Sequence, residues 1–125
     1  MRGPKGELCC HNHVLFGNEG EPVWSIPYDF DQAGLVGAPH AEPNPQFRIR
    51  TVKQRLYRGR CIHNDYVEAT VANYRGKREE LLRIIGELEV ASDRSVKSMT
   101  SYIEKFYKTL DSPERVTNAI IKKCI

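Results

Sequence analysis

Long apolar runs are missing from this 125-residue chain, and none approaches the ~20 residues that a membrane-spanning helix needs. The opening stretch, Met1-Arg2-Gly3-Pro4-Lys5-Gly6, has no apolar segment behind it and is not expected to be a signal peptide. A cytoplasmic location is the default expectation, with an exported parent protein left open. Cysteine is scarce: Cys9, Cys10, Cys61 and Cys124 show no C-x-x-C spacing. Too few for a regular disulfide framework, they are expected to be reduced thiols, although export would change that. Adjacent Cys9 and Cys10 rarely bridge each other, because the geometry is strained. No RNA-binding aromatic motif, zinc finger or basic-region zipper occurs, so nucleic acid is not the expected partner. Internal repeats and low-complexity tracts are absent as well.

What is present suits one globular domain. The hydrophobic fraction is 40% and the charged fraction 28%, both ordinary for a folded chain. The net charge of +3 is uneven: residues 1–46 carry −4 and residues 47–125 carry +7. An acidic loop-bearing part and a basic helical part suggest two roles, the bland alternative being solvated helix faces.

The spacing predicts an α+β fold: a β-hairpin, a long proline-rich loop and four to five helices. Residues 1–8 are expected to be a flexible lead-in or a cut end. One domain then covers 9–125, with the hairpin and its motif over 9–35, the loop over 36–50 and helices over 51–125. Strands are predicted over 10–16 and 23–28, parted by the turn signal Gly17-Asn18-Glu19-Gly20-Glu21-Pro22. Prolines 39, 43 and 45 forbid a regular element in the loop. Thr51-Val52-Lys53-Gln54 has capping-box spacing and predicts a short helix through Tyr57 or Arg58, ended by Gly59. Asn64 is expected to cap the next helix, with Gly76 interrupting or bending it. Leu81, Ile84, Ile85 and Leu88 form an apolar stripe. Ser92 is expected to start another helix, and Ser112-Pro113 a last one. Met99, Tyr102, Phe106 and Tyr107 are assigned to the core.

The chemistry concentrates in Asp29-Phe30-Asp31. In extended backbone, residues two apart share a side, so both carboxylates would face one way and Phe30 would anchor in the core. Such a pair is a hard-oxygen site for Mg²⁺ or Mn²⁺, the rest of the coordination coming from water and phosphate. The hairpin would bring Asn12, near its open end, beside Asp29 as a further oxygen ligand. Gly34 would let the chain turn away. The bland alternative is an Asx-turn closing a hairpin.

This arrangement resembles the metal-binding half of the protein-kinase site, where an Asn leads into a hairpin ending in Asp-Phe-Gly. It is closer to the CotH-type atypical kinases, whose hairpin ends in a Pro-Trp-Asp-Phe-Asp-like run. Here the run is Pro27-Tyr28-Asp29-Phe30-Asp31. Cys9-Cys10-His11-Asn12, Gln32-Ala33-Gly34-Leu35-Val36, Ala38-Pro39-His40-Ala41 and residues 49–59 extend the likeness to a family of uncharacterised bacterial proteins with this core. The resemblance covers the first half well and the helical half loosely. It implies part of a kinase C-lobe, with Asp29 as the main metal ligand and Asn12 and Asp31 assisting. The family's upstream Asn-Thr-Asp run, a Gly-rich loop and a strand-borne Lys have no counterpart here. The resemblance therefore implies no catalytic residue in this chain, and ATP binding only together with a missing N-terminal region. The chain would be inactive alone, with that missing lobe or another protein as partner, and its uncovered surface would favour self-association.

Two other readings compete. Arg48, Arg50, Lys53, Arg55, Arg58 and Arg60 form a basic cluster. Arg50, Arg55 and Arg58 could contact an anion or partner, making the chain a helical interaction module. Paired carboxylates with Mg²⁺ also serve phosphodiester cleavage, but a nuclease would need a base and a further acidic ligand. Cys9, Cys10, His11 and His13 are too crowded for a closed zinc site. Cys61 and His63 lack an orienting third group for nucleophilic chemistry.

Overall fold

The structure, a computed structural model, describes residues 13–125. Its first elements are the strands β1 (His13–Phe16) and β2 (Trp24–Pro27), rich in the β-branched and aromatic residues that suit a pleated surface. They pair antiparallel, with Val14 opposite Ile26, Leu15 opposite Ser25 and Phe16 opposite Trp24. The intervening loop is tied by Glu21 N–H donating to the Asn18 carbonyl at 3.1 Å and Asn18 Nδ2 to Glu21 Oε2 at 2.9 Å. Alternation puts Val14, Phe16, Trp24 and Ile26 on one face, at 51%, 68%, 67% and 45% exposure. That apolar face is bare. The part of the first strand expected before His13, with Cys9, Cys10, His11 and Asn12, lies outside the described residues.

From Tyr28 to Arg60 the chain is irregular, and prolines 39, 43 and 45 account for this in its middle stretch. A 3₁₀ segment (Cys61–Tyr66) then leads into α1 (Val67–Gly76), α2 (Arg78–Gly86), α3 (Asp93–Leu110) and α4 (Pro113–Ala119). Among the described residues the fold is thus α+β, a hairpin followed by four α-helices. Gly76 closes α1 and the chain restarts as α2, as expected from a glycine inside a helical pattern. Ser92 caps α3 by accepting from Ser95 N–H at 3.2 Å, and Ser112 caps α4 by accepting from Arg115 N–H at 3.2 Å. Each cap satisfies an amide that the helix leaves orphaned and contributes about 1 kcal/mol.

The core lies where α1, α3 and α4 meet. Val67, Val71, Tyr107, Leu110 and Val116 are buried there, with Leu81, Ile103, Phe106 and Ile120 packed against them. Tyr107 is fully buried, and its hydroxyl donates to the Tyr74 carbonyl at 2.8 Å, so the burial costs no lost hydrogen bond. That burial pushes the Tyr107 phenol above its ordinary pKa. Phe106 stacks edge-on with Tyr74 and Tyr107 at 5.7 and 5.5 Å. Arg78, on α2, reaches Glu104 on α3 and, at 3.2 Å, Asp111 just beyond it.

Three expectations are corrected. Residues 51–54 make only a turn, with Gln54 N–H on the Thr51 carbonyl at 3.1 Å. The chain then leaves helical geometry because Arg55 reaches across to α3, its guanidinium 3.9 Å from the Tyr102 ring centroid and bonded to the Tyr102 carbonyl. Asn64 caps nothing: α1 begins after Tyr66 without a side-chain cap, and Asn64 Nδ2 points at Cys124 Sγ, 3.6 Å away. Finally, Cys61 and Cys124 are not reduced thiols but form a disulfide, with Cα atoms 4.9 Å apart across 63 residues of sequence. Beside it, Ile125 N–H bonds the Gly59 carbonyl at 3.0 Å and Cys61 N–H bonds the Ile125 carbonyl at 3.2 Å. Together these contacts pin the end of the chain to the start of the 3₁₀ segment.

Candidate metal-binding loop

β2 stops at Pro27, and Asp29 has φ 59, the left-handed region that few non-glycine residues adopt. Aspartate tolerates it better than most, because a short polar side chain can bond locally. The extended backbone expected through Asp31 is therefore not what aligns the two acids. The turn brings them together instead: Ala33 N–H bonds the Phe30 carbonyl at 2.8 Å, and the Asp29 side chain lies close enough to help lower the Asp31 pKa. Phe30, expected in the core, is 57% exposed.

Asp31 has a second neighbour that the spacing of the motif does not reveal. His40 Nε2 lies 2.9 Å from Asp31 Oδ2. This contact, then the one with Asp29, holds the Asp31 carboxyl below its ordinary pKa. His40 lies nine positions after Asp31, with Pro39 between them, so no periodicity links them. What joins them is a compact loop. Gly37 N–H bonds the Ala33 carbonyl at 2.9 Å, Ala41 N–H the Ala38 carbonyl at 3.0 Å, and Glu42 N–H the Gln32 Oε1 at 3.1 Å.

Gly34 locks that loop onto the body of the protein. A Cβ there would lie 2.5 Å from the Val52 carbonyl oxygen and 2.7 Å from the Tyr102 hydroxyl. Close approach, rather than a sharp change of direction, is what demands glycine here. The turn over 51–54 and helix α3 thus carry the acidic loop between them.

Asn12, expected as an oxygen ligand, lies outside the described residues. Among the described residues, no group of three or more His, Cys, Asp or Glu side chains is arranged to hold a metal ion. Asp29 and Asp31 alone would offer a cation two protein carboxylates, a number that Mg²⁺ commonly takes. His40 at present occupies one oxygen of Asp31.

The basic residues are less available than their number suggests. Arg55 stacks on Tyr102 and, at 5.7 Å, on Phe106, while Arg58 lies 4.7 Å from the Phe47 ring centroid. Both guanidiniums thus spend one face on an aromatic ring. Arg50 N–H donates to Gln54 Oε1 at 2.7 Å, which fixes its backbone. No described helix is long and apolar enough to cross a membrane. No protein-family model, curated protein or solved structure matches this chain.

Proposed function

We propose that this chain is part of an atypical-kinase-like, phosphotransferase-like domain, in which Asp29 and Asp31 bind Mg²⁺ or Mn²⁺, and that it does not transfer phosphate alone. The observation that carries the reading is the acidic turn at the end of a hairpin, where Asp29 neighbours Asp31, held by a loop docked on the helical body. A divalent cation there would neutralise charge on a phosphoryl group, and the chain's own part is to position the two acids. Asn12 is the further ligand that this reading assigns. ATP would need an upstream lobe, and the bare face of Val14, Phe16, Trp24 and Ile26 is the surface proposed to be covered by it. A contiguous apolar face of this kind marks a contact site.

The interaction-module reading loses support from the stacking of Arg55 and Arg58, which gives both residues a structural task. Calorimetric titration with Mg²⁺ on wild type, Asp29→Ala and Asp31→Ala tests the proposal. One saturable site in the wild type, lost in both variants, is expected. A folded wild type that binds no Mg²⁺, or variants that bind as well as it does, would remove the reading.

A further inference from the structure

Beside the same loop, two cations line one cleft with no ion pair among the described residues. A cleft of about 560 Å³ opens between residues 36–39 and the start of α3, with Lys53, Arg94, Ser95, Ser98 and Gly37 in its wall. Gly37 has φ 59, and a Cβ there would lie 2.6 Å from Lys53 Cε and 3.2 Å from Lys53 Nζ. The Lys53 stem therefore lies over bare backbone, which aims its ammonium into the cleft. Arg94 enters from α3, with Ser98 one turn further on and on the same face.

Arg75, Lys77, Arg78 and Arg83 all pair with carboxylates. Lys53 and Arg94 form no ion pair among the described residues. Two like charges brought to one cavity repel, and an anion there turns that cost into attraction. The end of α3 is not the source of the site, because Ser92 already occupies the Ser95 amide and bonds its hydroxyl at 2.9 Å. Ser98 adds a neutral hydroxyl donor. A dianion with three oxygens matches two cations and a hydroxyl better than a planar carboxylate does, since guanidinium grips phosphate through parallel hydrogen bonds.

We infer that this cleft binds the phosphate group of a phosphorylated ligand, held by Lys53 and Arg94 and oriented by the Ser98 hydroxyl. The site needs no metal and stands apart from the Asp29–Asp31 pair, so the two readings fail separately. The test is an NMR titration with inorganic phosphate in chelator-containing buffer at constant ionic strength, on wild type, Lys53→Met, Arg94→Gln and Asp29→Asn. Saturable shifts confined to residues 36–39, 53 and 94–99 are expected. Lys53→Met and Arg94→Gln should each weaken binding about tenfold or more, as loss of a charge-assisted hydrogen bond does. Asp29→Asn should leave it unchanged. Both cations are exposed, so their variants should keep the wild-type helical circular dichroism. The inference is overturned if the folded wild type gives no saturable response, if chloride at equal ionic strength gives the same shifts, or if both cleft variants bind as tightly as wild type.

Discussion

Gly34→Ala should undock the acidic loop from the helical body. The new methyl would meet the Val52 carbonyl oxygen at 2.5 Å, Tyr102 Oη at 2.7 Å and Lys53 Cα at 3.1 Å. Two of these are backbone atoms that cannot swing aside, so either the loop or the turn must move. Overpacking of this kind costs about 1–3 kcal/mol. Two other glycines provide the scale. At Gly37 an alanine meets the movable end of Lys53 but must hold φ 59, which costs about 1–2 kcal/mol. At Gly76, the last residue of α1, nothing lies within 4 Å, and alanine should gain up to about 1 kcal/mol in helix propensity. Urea unfolding should rank the variants in that order of loss. Amide exchange should quicken at Ala33 and Gly37, whose N–H groups close the loop's turns. If Gly34→Ala unfolds with the wild type and exchanges no faster, the loop does not rest on Val52 and Tyr102, and the positioning of Asp29 and Asp31 argued above is wrong.

Reducing the Cys61–Cys124 bridge, or replacing both residues by serine, frees a loop spanning 63 positions of sequence and should cost about 4 kcal/mol on the chain-entropy account. Thermal melts with and without reductant measure it, and coincident melts would contradict the bridge. Arg55→Lys cannot reproduce a planar stack on Tyr102 with a bond to its carbonyl. A loss of about 1–2 kcal/mol in urea unfolding is expected, against none for Arg50→Lys; equal effects would return Arg55 to the solvent. Acid should open the motif loop. Because the folded Asp31 carboxyl titrates below its ordinary value, its stabilising contribution is present above the unfolded pKa and is lost as pH falls through the lowered one, in the range below about pH 4. His40→Ala removes the largest cause, so the Asp31 carboxyl followed by carbon-13 NMR should titrate higher; an unmoved titration would show that the His40 contact does not form.

The helical half was readable where local chemistry decides. Ser92 and Ser112-Pro113 start helices because a hydroxyl satisfies an orphaned amide wherever the chain then runs helical. Local signals misled where a distant partner claimed the same side chain. Thr51 to Gln54 has the right spacing for a capped helix, but Arg55 is drawn to Tyr102, 47 residues away in sequence. Asn64 has the right chemistry for a cap, but it faces Cys124 instead. Cysteines 63 residues apart carry no spacing that announces a bridge. At the motif, the backbone that carries the two acids was not legible. Alternation in a strand was expected, whereas a left-handed Asp29 and a tight turn are observed. His40 and the tight fit at Gly34 depend on how a proline-rich loop folds back, which no periodicity encodes.

The most direct test of the central claim is paramagnetic broadening by substoichiometric Mn²⁺, followed residue by residue in the amide spectrum. The account predicts broadening centred on residues 28–41 and on the turn over 51–54 that the loop rests against, abolished by Asp29→Ala in a protein that stays folded. Broadening spread evenly over the acidic surface, or none at all, would contradict a metal site at Asp29 and Asp31.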